Sequence, residues 1–309
     1  MSKLRIVITD TGFPDTEVEE RELAPLHAEL IVGRCKTEGD VLAITRDADA
    51  LMVQWAPITR RVMGELARCR FISRYGVGID MIDLDAARER GIPVANVPDY
   101  CVEEVAAHTL CFLMGLGRKV FLQDRLMRRG QWSMVDTLQP VHRFGNQNLG
   151  IIGVGRIGKR FAEMAAPLGL RILGYDVRPD ADIAPAHPAT FDTVIRESDY
   201  LSLHCPLTKE TRHLINAAVL GKMKPGSFLI NVSRGGVVDT QALVQALQSG
   251  RLAGAALDVF EQEPLPQDHL LLRLDNVILT PHLASYSLDA AAQLRRDTAR
   301  NVTRFFQKA

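Results

Sequence analysis

Gly153, Gly155 and Gly158 follow an apolar run, Leu149 to Ile152, in the spacing Gly-x-Gly-x-x-Gly, and an amphipathic stretch from Lys159 to Leu168 leaves them. A strand, a glycine turn and a helix in that order make a dinucleotide-binding unit. Gly153 permits the tight turn, Gly155 admits a pyrophosphate to the backbone, and Gly158 allows close helix–strand packing. Arg156 and Ile157 lie between them, where the helix N-terminus offers free N–H groups and the positive end of its dipole. The next strand-like run, Arg171 to Tyr175, ends in Asp176, about 20 residues past the triplet, as a ribose-binding acid should. Asp176 would also repel a 2′-phosphate, by up to about 4 kcal/mol at ~4 Å for each unit of charge near a surface. The expected cofactor is therefore NAD rather than NADP, with Arg178 the one nearby cation that favours a phosphate.

Further along, three apolar runs each end in a side chain able to do chemistry. The first is Asn231-Val232-Ser233-Arg234-Gly235-Gly236, where an arginine at a strand end beside a nicotinamide can fork onto a carboxylate and a neighbouring oxygen. The second is Asp258-Val259-Phe260-Glu261-Gln262-Glu263-Pro264, and the third is Thr280-Pro281-His282-Leu283-Ala284-Ser285. Taken singly, Arg234 is an ordinary surface cation, Glu263 a solvated loop acid and His282 a satisfied strand-end histidine. Three such residues at successive strand ends of a nucleotide-binding sheet are not ordinary.

The elements that must position them form two α/β units. With 309 residues the chain has room for two cores. Short buried strands are expected at 4–8, 50–54, 70–74 and 92–96, with helices over 15–30, 59–67 and 83–90; Thr59 and Asp83 read as N-caps. A single long helix is expected over 102–129, then an irregular stretch over 130–148. Strands near 149–153, 171–176, 199–203, 227–231, 254–258 and 276–280 complete a second unit, and a helix over 289–307 could return to the first. Alternating strands and helices imply parallel sheets covered on both faces. The expected domains are 1–98 with 286–309, and 99–285. Between them a ligand cleft is expected, since ligands favour the carboxyl ends of parallel strands.

Apolar residues make up 47% of the chain and the formal net charge is zero, which leaves no electrostatic case for nucleic acid or a membrane surface as a main partner. The first residues run directly into an apolar strand, so no secretory signal is expected. The five cysteines are scattered and in no metal-ligand spacing; no metal is expected, and the thiols suit a reducing cytoplasm.

Together and in order, the glycine triplet with Asp176, Asn-Val-Ser-Arg-Gly-Gly-Val-Val-Asp, Asp-Val-Phe-Glu-x-Glu-Pro and Thr-Pro-His resemble the D-isomer-specific 2-hydroxyacid dehydrogenases over nearly the whole chain. The resemblance implies a Rossmann-type cofactor domain inserted in a flavodoxin-like substrate domain. It implies hydride exchange between NAD and a small 2-oxo or D-2-hydroxy acid. It makes His282 the general acid/base, Glu263 its partner, and Arg234 the group that orients the substrate. A carboxylate beside an imidazole stabilises the imidazolium, so the chemistry is coherent. Asp258, Val232, Ser233, Thr109, Ser285, Cys205 and Pro206 fall at expected cofactor contacts.

In the first lobe, Arg74-Tyr75-Gly76-Val77-Gly78-Ile79-Asp80 resembles the family's substrate-carboxylate loop, with the Val77 and Gly78 N–H groups as donors, Arg74 beside them and Met81 where asparagine is usual. Gln54 and Trp55 are expected to shape the pocket, although Trp55 equally suits a core. Glu104 and His108, four apart, read as a helix-surface pair. Val105, Leu110, Leu113 and Met114 suit a core or a dimer face, and the family commonly forms homodimers. Val102-Glu103-Glu104, Arg74 and Tyr286-Ser287 resemble the branch of the C-terminal-binding corepressors, although Ser285 replaces that branch's tryptophan. The alternative to a dehydrogenase is thus an NAD(H)-sensing, corepressor-like binding protein with weak activity.

Overall fold

The computed structural model describes residues 3–132, 140–178 and 180–308. The chain divides into two compact units, Met1–Cys101 with Ser287–Ala309, and Val102–Tyr286.

The first unit is a five-stranded parallel sheet. Its strands are β1 (Arg5–Ile8), β2 (Glu29–Val32), β3 (Ala50–Val53), β4 (Phe71–Arg74) and β5 (Val94–Ala95). Their order, β2-β1-β3-β4-β5, is the flavodoxin-like one, with its reversal between β1 and β3. Alternation along each strand feeds two cores. Ile6, Ile8 and Met52 point to one face; Val7, Leu51 and Val53 point to the other. Both faces are buried, which is why these strands read as continuous apolar runs. The C-terminal helix, Leu288–Lys308, covers one face with Leu294, Ala299 and Val302, and Phe305 stacks on Phe71 at 4.6 Å.

The helix expected over 15–30 is shorter. Helix α1 spans Glu17–Leu23, a single 3-10 turn follows, and His27 takes a left-handed φ of 48° that ends it. Residues 29–32 then form the edge strand β2, which the sequence reading missed. Helix α2 (Glu38–Thr45) was also missed, although Thr37 and Asp40 close a capping box at its start. Helices α3 (Arg60–Glu65) and α4 (Leu84–Glu89) start where expected, capped by Thr59 and Asp83.

In the second unit α5 (Val102–Gly117) and α6 (Val120–Arg128) replace the single helix expected over 102–129. Gly117 packs so tightly that a Cβ there would lie 2.6 Å from Phe144, and Lys119 turns left-handed at φ 53°, so the chain bends by 65°. The irregular stretch expected over 130–148 falls partly outside the described residues. Seven parallel strands follow: β6 (Asn148–Ile152), β7 (Arg171–Tyr175), β8 (His187–Pro188), β9 (Tyr200–Leu203), β10 (Ser227–Asn231), β11 (Leu252–Leu257) and β12 (Val277–Leu279). Their order, β12-β11-β10-β9-β6-β7-β8, reverses between β6 and β9. Helices α5 and α7 (Arg156–Ala165) cover one face through Phe112, Leu113, Phe161 and Ala162. Helices α8 (Phe191–Glu197), α9 (Ala217–Lys222) and α10 (Thr240–Gln248) cover the other. No single helix among the described residues is long and apolar enough to cross a membrane.

Phe161, on the helix that the glycine turn starts, is fully buried against the sheet. Phe161→Ala should cost about 3–5 kcal/mol of stability, read from urea unfolding followed by circular dichroism.

Candidate active site

The glycine turn fits its expected role at each position. Gly153 ends β6 at φ 86°, and a Cβ there would lie 2.7 Å from the Cys205 nitrogen. A Cβ on Gly158 would lie 2.4 Å from the Gly153 carbonyl oxygen. At Gly155, the residue that starts α7, a Cβ would meet no protein atom within 4 Å. The protein itself therefore requires two of these glycines. The third leaves open space above a helix N-terminus, the cradle a pyrophosphate needs. Arg156 on that first turn is exposed, Cys205 is buried beneath the turn, and Pro206 is exposed beside it. His204 packs on Phe161 and hydrogen-bonds Ser202 at 2.8 Å; desolvation pushes its pKa down to about 3, so it stays neutral.

Asp176 ends β7 with its side chain only 8% exposed. The Arg178 backbone N–H, Nε and Nη2 donate to it at 3.0, 2.9 and 3.0 Å. Arg178, together with the Val154 N–H of the glycine turn, holds this carboxyl below its ordinary value against the opposing effect of burial. The acid therefore lies beside the turn and stays ionised.

The strand-end residues converge through their loops. After β10, Asn231 is 1% exposed; its Oδ1 accepts from the Ser233 N–H and hydroxyl, and its Nδ2 donates to the Arg234 carbonyl. That sets the turn presenting Val232, Ser233 and Arg234, all half-buried. Gly235 lies directly on the Phe260 backbone, where a Cβ would overlap at 1.9 Å. Glu261 joins the same two loops by accepting from the Thr240 N–H at 2.9 Å and meeting His213 Nε2 at 2.5 Å. Glu263 accepts from the Phe260 N–H at 2.9 Å and meets His282 Nδ1 at 2.6 Å. Burial pushes the Glu263 carboxyl up. The His282 hydrogen bond, the Phe260 N–H and the charges of His282 and Arg234 outweigh it and hold the carboxyl below its ordinary value.

His282 has a left-handed φ of 56°, a costly conformation for a residue with a Cβ. Asp258, 1% exposed, imposes it. Its carbonyl accepts the His282 N–H at 2.7 Å. Its carboxylate accepts the Thr280 hydroxyl at 2.6 Å and the Leu283 and Ala284 N–H groups at 2.9 Å each. Asp258, expected as a cofactor contact, thus has both oxygens engaged by the loop that carries His282. The sequence reading missed Asn231 and Thr280 as positioning groups, although both stand in the motifs quoted.

His108 differs from the surface pair expected. Its Nε2 lies 3.1 Å from the Thr280 hydroxyl and its ring meets the edge of Phe112; burial pushes its pKa down, opposed by the Asp258 charge. Thr109 is fully buried and donates to the Val105 carbonyl, so it presents no surface to a cofactor. Ser285 is half-buried.

In the first unit, Asp10 ends β1, and its carboxylate accepts the N–H groups of Gln54, Trp55 and Ala56 at 3.2, 2.6 and 3.2 Å. It shapes the turn at the strand-order reversal and was missed by the sequence reading, although it is an acid at a strand end like Asp176. Gln54 is buried, its Oε1 accepting from the Gly12 N–H; Trp55 is 59% exposed and not core. Gly76 has φ 132°, and a Cβ there would strike the buried Arg74 guanidinium at 1.4 Å. Val77 and Gly78 are half-buried.

The family profile described as D-isomer specific 2-hydroxyacid dehydrogenase, NAD binding domain, matches residues 110–284. A glyoxylate reductase of Thermofilum pendens is 40% identical over 272 residues, 85% of this chain and 80% of that protein. A D-3-phosphoglycerate dehydrogenase of Methanocaldococcus jannaschii is 35% identical over 93% of this chain, which spans 54% of that protein. The crystal structure of a D-lactate dehydrogenase from Aquifex aeolicus, complexed with NAD and lactic acid, superposes with a TM-score of 0.89 at 32% identity, covering 98% of this chain and 96% of that one.

Because the Glu263 carboxyl is held below its ordinary value of 4.5, the stability that its ionised form contributes is present above that value and is lost as pH falls through the depressed one. The Tm advantage of the native chain over Glu263→Gln should therefore shrink as pH falls below about 4.5, as measured by calorimetry across the acid range.

Proposed function

The chain belongs to the D-isomer-specific 2-hydroxyacid dehydrogenase family, and on that premise we propose that His282, Glu263 and Arg234 carry the reduction of a small 2-oxo acid, glyoxylate foremost. Its activity is the interconversion of a 2-oxo acid and a D-2-hydroxy acid with NAD as cofactor, which leaves the corepressor-like reading unfavoured. The observation that carries the assignment of roles is the 2.6 Å contact of His282 Nδ1 with Glu263, on a histidine whose backbone Asp258 holds in place.

NAD, when bound, supplies or accepts the hydride. Gly153, Gly155 and Gly158 with the first turn of α7 would hold its pyrophosphate, and Asp176 its adenosine ribose. Glu263 occupies Nδ1 of His282, so Nε2 is the nitrogen that moves the proton. In reduction it donates to the 2-oxo oxygen; in oxidation it accepts the hydroxyl proton. Arg234 forks onto the substrate carboxylate and polarises its carbonyl. The Val77 and Gly78 N–H groups with Arg74 receive the carboxylate, and Gln54 borders it. Glyoxylate is favoured because several relatives carry the name glyoxylate reductase.

A homodimer is part of this reading. Met114, Val120, Phe121 and Met127 on α5 and α6 are exposed, an apolar face that suits a second copy. Val105 and Leu113 of the same stretch are buried, and Leu110 packs partly against that core. Five free thiols support a reducing, cytoplasmic location.

The test is NADH oxidation followed at 340 nm with glyoxylate, hydroxypyruvate, pyruvate, phenylpyruvate and 3-phosphohydroxypyruvate. His282→Ala should lower kcat on the best of these by about 10²–10⁴-fold with NADH affinity retained; unchanged kcat would remove His282 from the proton transfer. Asp176→Ala should raise the NADPH/NADH ratio of kcat/KM, and a constant ratio would remove Asp176 as the ribose discriminator.

A further inference from the structure

Tyr75, which leads into the 76–80 loop of the first unit, joins a buried charged network that the reaction as described does not use. Glu19 on α1 is 1% exposed. Arg295, on the C-terminal helix, donates to both Glu19 oxygens, with Nε at 3.0 and 3.1 Å and Nη2 at 2.7 Å. The same Nη2 reaches the Asp15 carbonyl at 2.8 Å and its carboxylate at 2.7 Å. The fully buried Tyr75 donates its hydroxyl to Glu19 at 3.2 Å. Phe13 lies between them: the guanidinium of Arg295 stands 5.1 Å from its ring centre, and the ring of Tyr75 6.1 Å.

Burying such a pair is a poor way to gain stability, because desolvation offsets most of the attraction and an apolar replacement commonly does as well. Its position suggests another use. Tyr75 is the last residue before Gly76, and its N–H donates to the Val53 carbonyl at 2.8 Å. The Val97 N–H donates to the Gly76 carbonyl at 3.1 Å, and Asn96 Nδ2 to the Val77 carbonyl at 2.7 Å. The loop that follows is therefore held at its root by Tyr75 and at Gly76 and Val77 by residues 96–97. Burial and the Glu19 charge push the Tyr75 phenol well above its ordinary value, so it remains a donor throughout the working range.

We propose that Glu19, Arg295 and Tyr75 are positioning residues for the substrate carboxylate: their network fixes the root of the 76–80 loop so that its N–H groups stand ready for a 2-oxo acid. The inference rests on the reading of that loop as the carboxylate site. It assigns the returning C-terminal helix a part in substrate affinity beyond covering the sheet.

Two variants separate positioning from folding. Tyr75→Phe keeps the ring and removes only the hydroxyl. The double variant Glu19→Leu with Arg295→Met replaces the ion pair by apolar side chains, which should keep the fold. In steady-state kinetics with glyoxylate and NADH, each should raise the KM for glyoxylate by about fivefold or more, with kcat and the Kd for NADH within about twofold of the native chain. Unchanged KM in both, whatever happens to Tm, would overturn the proposal and leave the network a structural one. Val77→Pro, which deletes one loop donor, is the control. If it raises KM while the two variants do not, this inference alone fails; if it too leaves KM unchanged, the carboxylate reading of the loop fails and the inference falls with it.

Discussion

The site depends on one buried carboxylate. Asp258 ends β11 and receives a hydroxyl and two backbone N–H groups from the segment after β12, while its own carbonyl receives a third N–H, that of His282. A carboxyl group so far from water is tolerable only when its oxygens are hydrogen-bonded, and here one chain segment supplies the donors. The same bonds force His282 into the left-handed region, which a histidine does not adopt without external constraint. The imidazole thus reaches Glu263 from a backbone that has little freedom to move. The cost of the unusual dihedral is offset by these hydrogen bonds, and the outcome is an imidazole held in a fixed direction.

The neighbouring loops are joined in the same way. Gly235 brings the turn carrying Arg234 into direct backbone contact with Phe260, two residues past Asp258. Glu261 ties that turn to the start of α10, and Glu263 reaches both the Phe260 N–H and His282. Three strand ends are tied together because each loop fills hydrogen-bonding needs of the next. Catalysis that depends on orientation requires this, since small displacements of reacting groups cost large factors in rate. In the first unit Asp10 performs the corresponding task for residues 54–56 at the reversal between β1 and β3.

Much of this was legible in the residues because side-chain type carries the chemistry. The glycine triplet, Asp176, Arg234, Glu263 and His282 each carry a chemistry that few other residue types can supply, at strand ends where function is expected. The parallel sheets were legible too, since strands buried on both faces read as unbroken apolar runs. What escaped was decided by the backbone. His27 and Lys119 end helices with left-handed dihedrals that their residue types do not announce, so β2 was absorbed into a helix and the α5–α6 bend was passed over. Asp258, Asp10 and Asn231 act by accepting N–H groups, and which N–H groups surround an acid is a property of the folded loops. His108 looked solvated because its partner, Thr280, is 172 residues away.

Asp258 is proposed to act on the reaction through His282. A double-mutant cycle in kcat measures it, using Asp258→Asn, His282→Ala and the two combined, with NADH and a saturating 2-oxo acid. If Asp258 serves to hold His282, Asp258→Asn should lower kcat by roughly 10²-fold in the native chain but by less than about threefold once His282 is alanine. Equal losses in the two backgrounds would overturn this role and make Asp258 an independent contributor to the reaction.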